Sequence, residues 1–166
     1  PSQEAMADEA RVGDIKLTWE VGRFPQAYWF TRAAGLLPEE RERFAQAFVD
    51  QALHFMAHNP IGLGVQWASG QEVAYRAMAW AFALAGLQGT QALQRHRRAL
   101  ELHIYESIRW VELHRDYAEH AVRNNHLWSE AAATLLGAIW FPHCAEAPRW
   151  RADGLRIVCV EAPRQF

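Results

Sequence analysis

An amide and an imidazole stand side by side at Asn125 and His126, where the polar break Asn124-Asn125 gives way to the mostly apolar run Leu127 to Phe141. At the mouth of a helix the free backbone N–H groups and the macrodipole favour an anion. An asparagine side chain adds N–H donors that need no proton equilibrium, and a histidine can donate a hydrogen bond. The pair therefore suits an anion, although an asparagine at a helix start is also a common cap. Glu130 follows His126 by one helical turn, so the two either form a buried pair that orients the helix or face a ligand together. Glu72 and Arg76 have the same spacing. A cation on an enclosed helix suits a polyanion, and an internal ion pair locking two inner helices suits that spacing equally. Gln66 and Trp67 follow a breaker-rich loop, and the tryptophan there either stacks on a ligand or fills core.

Other constellations carry less. His54 and His58 are spaced as helical metal ligands are, but no Glu follows His54 in the zincin manner and no third ligand is evident, so a surface pair and no metal are expected. His96-Arg97-Arg98 reads as the solvated face of a helix. The sequence holds no GxSxG, P-loop or dinucleotide fingerprint, and no cofactor is implied. Cys144 and Cys159 make neither a disulfide framework nor a metal knuckle.

The elements that must position these residues are helices. Prolines and glycines cut the chain into helix-length pieces, and period-two alternation is confined to a weak hint at Ile157 to Val160. An exposed lead to Gly13 precedes Leu17 to Gly35, read as a turn at Pro25 and a short helix. Pro38 sits at a helical first turn with Glu39 and Glu40 where the macrodipole favours acids, and that helix runs to about His58. After Asn59-Pro60-Ile61-Gly62-Leu63-Gly64, Ser69 and Glu72 match a capping box for a helix to Leu87 that is apolar nearly all round. Thr90 to about Tyr117 reads as a long amphipathic outer helix, Leu127 to Phe141 as a second enclosed one, and Pro148 to Phe166 as a last helix. The tryptophans other than Trp67 are assigned to the core. The fold class is all-α. Enclosed helices alternating with amphipathic ones suggest helical hairpins in a two-layered, partial α/α toroid, with a plain helical bundle as the rival.

Composition agrees. Of 166 residues, 51% are hydrophobic and 22% charged, enough apolar surface to outweigh ordering entropy and too much for a disordered chain. A net charge of −2 gives no basic field to hold nucleic acid. The longest apolar stretch, Ala77 to Leu87, falls short of the roughly 20 residues a membrane span needs. Lys16 is the only lysine beside sixteen arginines, a bias expected of a GC-rich bacterial genome. The first ten residues show no basic segment followed by an apolar one, hence no signal peptide here.

Several short runs, kept in order from about residue 14 onward, resemble the N-terminal helical domain of the heparinase II/III family of polysaccharide lyases and its alginate-lyase relatives. They are Trp19-Glu20 with Arg23, Asn59-Pro60, Gly64-Val65-Gln66-Trp67, Glu72-Val73-Ala74-Tyr75-Arg76-Ala77 with Trp80, Asn125-His126 with Glu130, Phe141-Pro142, Trp150, and Glu161-Ala162-Pro163-Arg164-Gln165. Gln66 departs from the expected Asn but keeps an amide. The resemblance implies an incomplete α/α toroid over residues 14–166, followed in the family by the rest of the toroid and a β-sandwich, with an acidic polysaccharide bound in the groove between.

The implied reaction is β-elimination at a uronic acid: the C5 proton leaves and the 4-linked glycosidic bond breaks. That proton lies beside a carboxylate and is very weakly acidic. The enzyme must neutralise the carboxylate with fixed donors, place a base near C5 and place an acid near the leaving oxygen. By the resemblance Asn125 is the main neutraliser, with His126 assisting or acting as base for one epimer, and Gln66, Trp67, Arg76 and Glu130 are substrate-binding candidates. The family's tyrosine acid or base would follow an Asp-Gly turn beyond Phe166, so this polypeptide alone is expected to be inactive and prone to self-association through uncovered apolar faces. A periplasmic or secreted location is implied for the parent. The alternatives are a non-catalytic helical glycan-binding module and a toroid glycoside hydrolase, the latter needing two facing carboxylates among Glu20, Glu72 and Glu130.

Overall fold

The computed structural model describes residues 13–122 and 124–165, and among them it holds seven α-helices and no strand. Apart from Gly13, which is exposed, the expected lead lies outside the described residues. Helix α1 spans Ile15–Gly22, α2 Pro25–Leu36, α3 Arg41–His58, α4 Gly70–Gly86, α5 Gln91–His114, α6 Asn125–Trp140 and α7 Ala147–Gln165. Single turns at Pro38–Glu40 and Val65–Trp67 precede α3 and α4, and a wide turn at Ala118–Val122 precedes α6.

Three antiparallel hairpins, α2 with α3, α4 with α5 and α6 with α7, lie side by side. The first member of each forms one layer. Phe24 at the start of α2 meets Trp80 of α4 edge to face at 5.2 Å, Tyr28 meets Phe82 at 5.0 Å, and Thr31 reaches Gly86, so α2 and α4 run parallel. Glu130 near the start of α6 packs on Gly70 at the start of α4, while Ile139 and Phe82 share a groove near their ends, so α6 is parallel too. The second members form the other layer. Eleven of the seventeen α4 residues are buried, because α4 has a neighbour on both flanks and α5 behind it.

The turn between α4 and α5 is closed from α3. Arg41 donates to the carbonyls of Gly86 at 2.6 Å and Gln88 at 3.2 Å, and the Glu42 carboxylate accepts the N–H groups of Gln91 at 3.0 Å and Ala92 at 2.7 Å. One dipeptide thus satisfies the last carbonyls of one helix and the first donors of the next. Arg149 with Glu112 at 2.5 Å, Arg115 with Asp153 at 3.3 Å and Arg156 with Glu119 at 2.8 Å tie α7 to α5 and the turn after it.

Three expectations are corrected. A separate helix, α1, precedes Pro25; Asp14 starts it by accepting the Lys16 N–H at 2.9 Å. The capping box fails, since the Ser69 hydroxyl makes no cap bond and Glu72 turns to Arg23 instead. The last helix forms as expected and includes Ile157 to Val160, where the weak alternation yields to the amphipathic frame of α7. Among the tryptophans, Trp80 and Trp150 are fully buried, but Trp29 on the outer flank of α2 is 66% exposed.

Candidate functional site

Parallel first-layer helices put their N-termini, at Pro25, Gly70 and Asn125, at one end of the molecule, and the positive ends of three macrodipoles with them. All six site residues expected from sequence lie at that end. Asn125, His126 and Glu130 occupy the first turns of α6, Gln66 and Trp67 the single turn leading into α4, and Arg76 the second turn of α4.

The opening of α6 differs from the simplest expectation in a useful way. Asn124, not Asn125, is the cap: its side chain accepts the His126 N–H at 2.9 Å. With the capping role filled one position earlier, the Asn125 side chain is exposed and has no partner among the described residues. His126 beside it is half-buried, and its carbonyl accepts the Ser129 hydroxyl at 2.9 Å. The turn therefore offers an uncommitted amide and a partly accessible imidazole over helix-start N–H groups.

Glu130 lies below them, 3% exposed. The His126–Glu130 hydrogen bond that their spacing allows is not formed. The carboxyl instead packs on the Cα of Gly70, where any larger residue would collide with it, and Oε2 has no partner among the described residues. Burial pushes its pKa up to about 8, against the pull of Arg115. The group is thus a neutral acid at neutral pH. The Ser69 hydroxyl is likewise buried and unpartnered there.

Arg76 is sealed inside. Its guanidinium lies between the rings of Phe55 at 4.6 Å and Trp67 at 4.9 Å and donates to the carbonyls of Gln66 at 3.1 Å and Gly22 at 3.3 Å. Burial lowers its pKa to about 9, partly offset by Glu72, leaving it a cation at neutral pH. Trp67 is 2% exposed and donates its indole N–H to the Asn59 carbonyl at 3.2 Å. Gln66 is also buried, its Nε2 donating to the Thr18 carbonyl at 3.0 Å. His103 closes the cluster against Trp80 and Trp67; burial, then the charge of Arg76, depresses its pKa to about 3, so it is neutral.

The Glu72–Arg76 ion pair suggested by spacing is replaced. Arg23, arriving from the end of α1, takes the Glu72 carboxylate with two bonds of 2.5 and 2.8 Å. Trp67 and Arg76 accordingly brace the loop into α4 from beneath the surface. Sequence spacing gives no sign that Arg23 pairs with Glu72, because one stands at the end of α1 and the other in α4; the Asn-Asn dipeptide does display Asn124 at the start of α6. Glu72 is taken by Arg23 and Glu130 is buried, so neither stands free as one of the two facing carboxylates that glycoside hydrolysis requires. His54 and His58 stack at 4.1 Å on the exposed face of α3, and among the described residues no three metal-capable side chains cluster. No described helix is long and apolar enough to cross a membrane.

The family model described as Heparinase II/III N-terminus matches residues 8–166. No curated protein and no solved structure matches the chain.

Proposed function

Because the chain belongs to the heparinase II/III family, as its N-terminal domain, we propose that it is the helical part of a polysaccharide lyase that acts outside the cytoplasm and breaks uronate-containing glycans by β-elimination. The observation that supports this most is the opening of α6. Asn124 caps the helix, and Asn125 and His126 are left with side chains available to a ligand.

The uronate carboxylate docks on the Asn125 amide, with His126 as second donor and the α6 dipole behind both. As the C5–H bond breaks, its electron pair forms the C4–C5 double bond, the C4–O bond is released, and the leaving oxygen takes a proton. During this step negative charge spreads onto the carboxylate. Donors carried at a capped helix start stabilise that charge more than the ground state, which is the condition for lowering the barrier. Glu130, uncharged and set behind the pair, adds no repulsion to the incoming carboxylate. An ionised glutamate in its place would oppose it. In this reading His126 also takes the C5 proton for one epimer.

The test is to incubate the full-length parent with heparan sulfate, alginate and hyaluronan. Ultraviolet absorbance from unsaturated uronate ends on at least one of them is expected. Saturated products only would make the parent a hydrolase, and the absence of cleavage on all three would favour a non-catalytic binding module.

A further inference from the structure

A cleft of about 480 Å³ opens between α1, α2, α3 and the loop before α4, and no residue of α6 lines it. Its volume falls in the usual range for small-molecule sites, roughly 300–1,000 Å³. We propose that it binds a neutral sugar unit, separately from the uronate site at Asn125 and His126.

The lining is the ground for this. Gln26, Gln51, Asn59 and Gln66 bring four amides to one concavity, with Asp50 and His54 beside them and Phe24 and Phe55 as apolar surface. Planar amides and carboxylates pair a donor with an acceptor, or two acceptors, at the separation of adjacent sugar hydroxyls. An aromatic surface takes the C–H face of a pyranose. Charge narrows the ligand: the lining holds one carboxylate and no arginine or lysine, so a uronate or sulfate finds no counter-charge there. The choice of a sugar over another polar neutral molecule rests on the glycan reading above.

Two features show a built site. Gln66 is buried, its Nε2 is spent on Thr18, and its Oε1, packed against the Cα of Gly22, has no donor among the described residues. A buried acceptor left unmatched costs about 1–3 kcal/mol, and a ligand hydroxyl at the cleft would supply the donor. Phe24, in the wall, is the one described non-glycine residue with positive φ, at 60°. That left-handed conformation costs a residue of this size on the order of 1–3 kcal/mol. It is held by edge-to-face contacts with Phe55 at 5.4 Å and Trp80 at 5.2 Å, and it turns the chain so that α1 and α2 form the two sides of the cleft. Gln26 and Gln51 face each other across the rim, the first donating to the second at 3.0 Å, an exposed bond that a sugar hydroxyl can replace.

Saturation-transfer NMR on the 166-residue chain tests this with cellobiose as the neutral probe, glucosamine as the cationic one and a uronate disaccharide as the acidic one. Saturable transfer to cellobiose is expected, weakened at least about ten-fold by the exposed-site double variant Gln51→Ala/His54→Ala at unchanged helix content. The proposal is overturned by no transfer to cellobiose, by transfer the double variant leaves intact, or by glucosamine or the uronate displacing cellobiose more strongly than cellobiose displaces itself. Any of these leaves the lyase reading standing, because that reading depends on α6.

Discussion

Two regions at the same end of this molecule hold the residues whose types suggest a site, and they use those residues in opposite ways. Around Arg76 the polar groups are turned inward: the guanidinium lies between Phe55 and Trp67 and holds the carbonyls of Gly22 and Gln66. At the opening of α6 the polar groups are turned outward, since Asn124 satisfies the helix start and Asn125 is left exposed. Both regions match the family in sequence. What separates them is whether the fold's own carbonyls and carboxylates have claimed the donors, so an arginine in a family motif is here a scaffold part and an asparagine is available to a ligand.

That contrast is sharpest in stability. Arg76→Ala removes the donor of two buried carbonyls and leaves a hole between two aromatic rings. It is expected to cost about 3–5 kcal/mol in denaturant unfolding, and a loss below about 1 kcal/mol would mean that the cluster is not the brace described. Arg23→Ala strands Glu72, whose side chain is 3% exposed, but the arginine itself is one-third exposed at 35%. With solvent screening on that side, about 2 kcal/mol is expected.

Glu130 lies between the two regions, and its effect depends on pH. The native carboxyl keeps its proton until about pH 8, whereas the unfolded chain releases it near the ordinary value of 4.5. Between these values the unfolded state binds fewer protons, so stability is full below pH 4.5 and falls as pH rises toward 8, with a slope approaching about 1.4 kcal/mol per pH unit. Glu130→Gln should remove that slope from urea titrations over the same range. An unchanged slope would show that Glu130 titrates normally.

The smallest effects belong to the opening of α6 itself. Asn124→Ala should cost about 1 kcal/mol, the usual value of a helix cap, and Asn125→Ala less than about 0.5 kcal/mol. The reverse order would return the capping role to Asn125 and remove its availability to a ligand.

Much of this was legible in the sequence. Breaker residues and apolar periodicity located the helices from Pro25 onward and the two enclosed ones, because chain punctuation and solvent exclusion act locally. Helix α1 was hidden, as its eight residues are too few to show a period and the aromatics at Trp19 and Phe24 looked continuous with those after Pro25. The capping box at Ser69 failed because Arg23, distant in sequence, offers Glu72 a charged partner stronger than a backbone N–H. The same non-local competition hid the environment of Arg76, whose i,i+4 neighbour was claimed before the helix could pair with itself. Asn125 and His126 were visible as residue types. That Asn124 would take the cap, and so free Asn125, required the backbone angles at the start of α6.

The central claim is that the Asn125 amide holds the uronate carboxylate through the transition state. Steady-state kinetics of Asn125→Ala in the lyase proposed to contain this chain, following unsaturated uronate on whichever glycan yields it, tests this most directly. A fall in kcat of about 100-fold or more with KM nearly unchanged is expected; an unchanged kcat would contradict it.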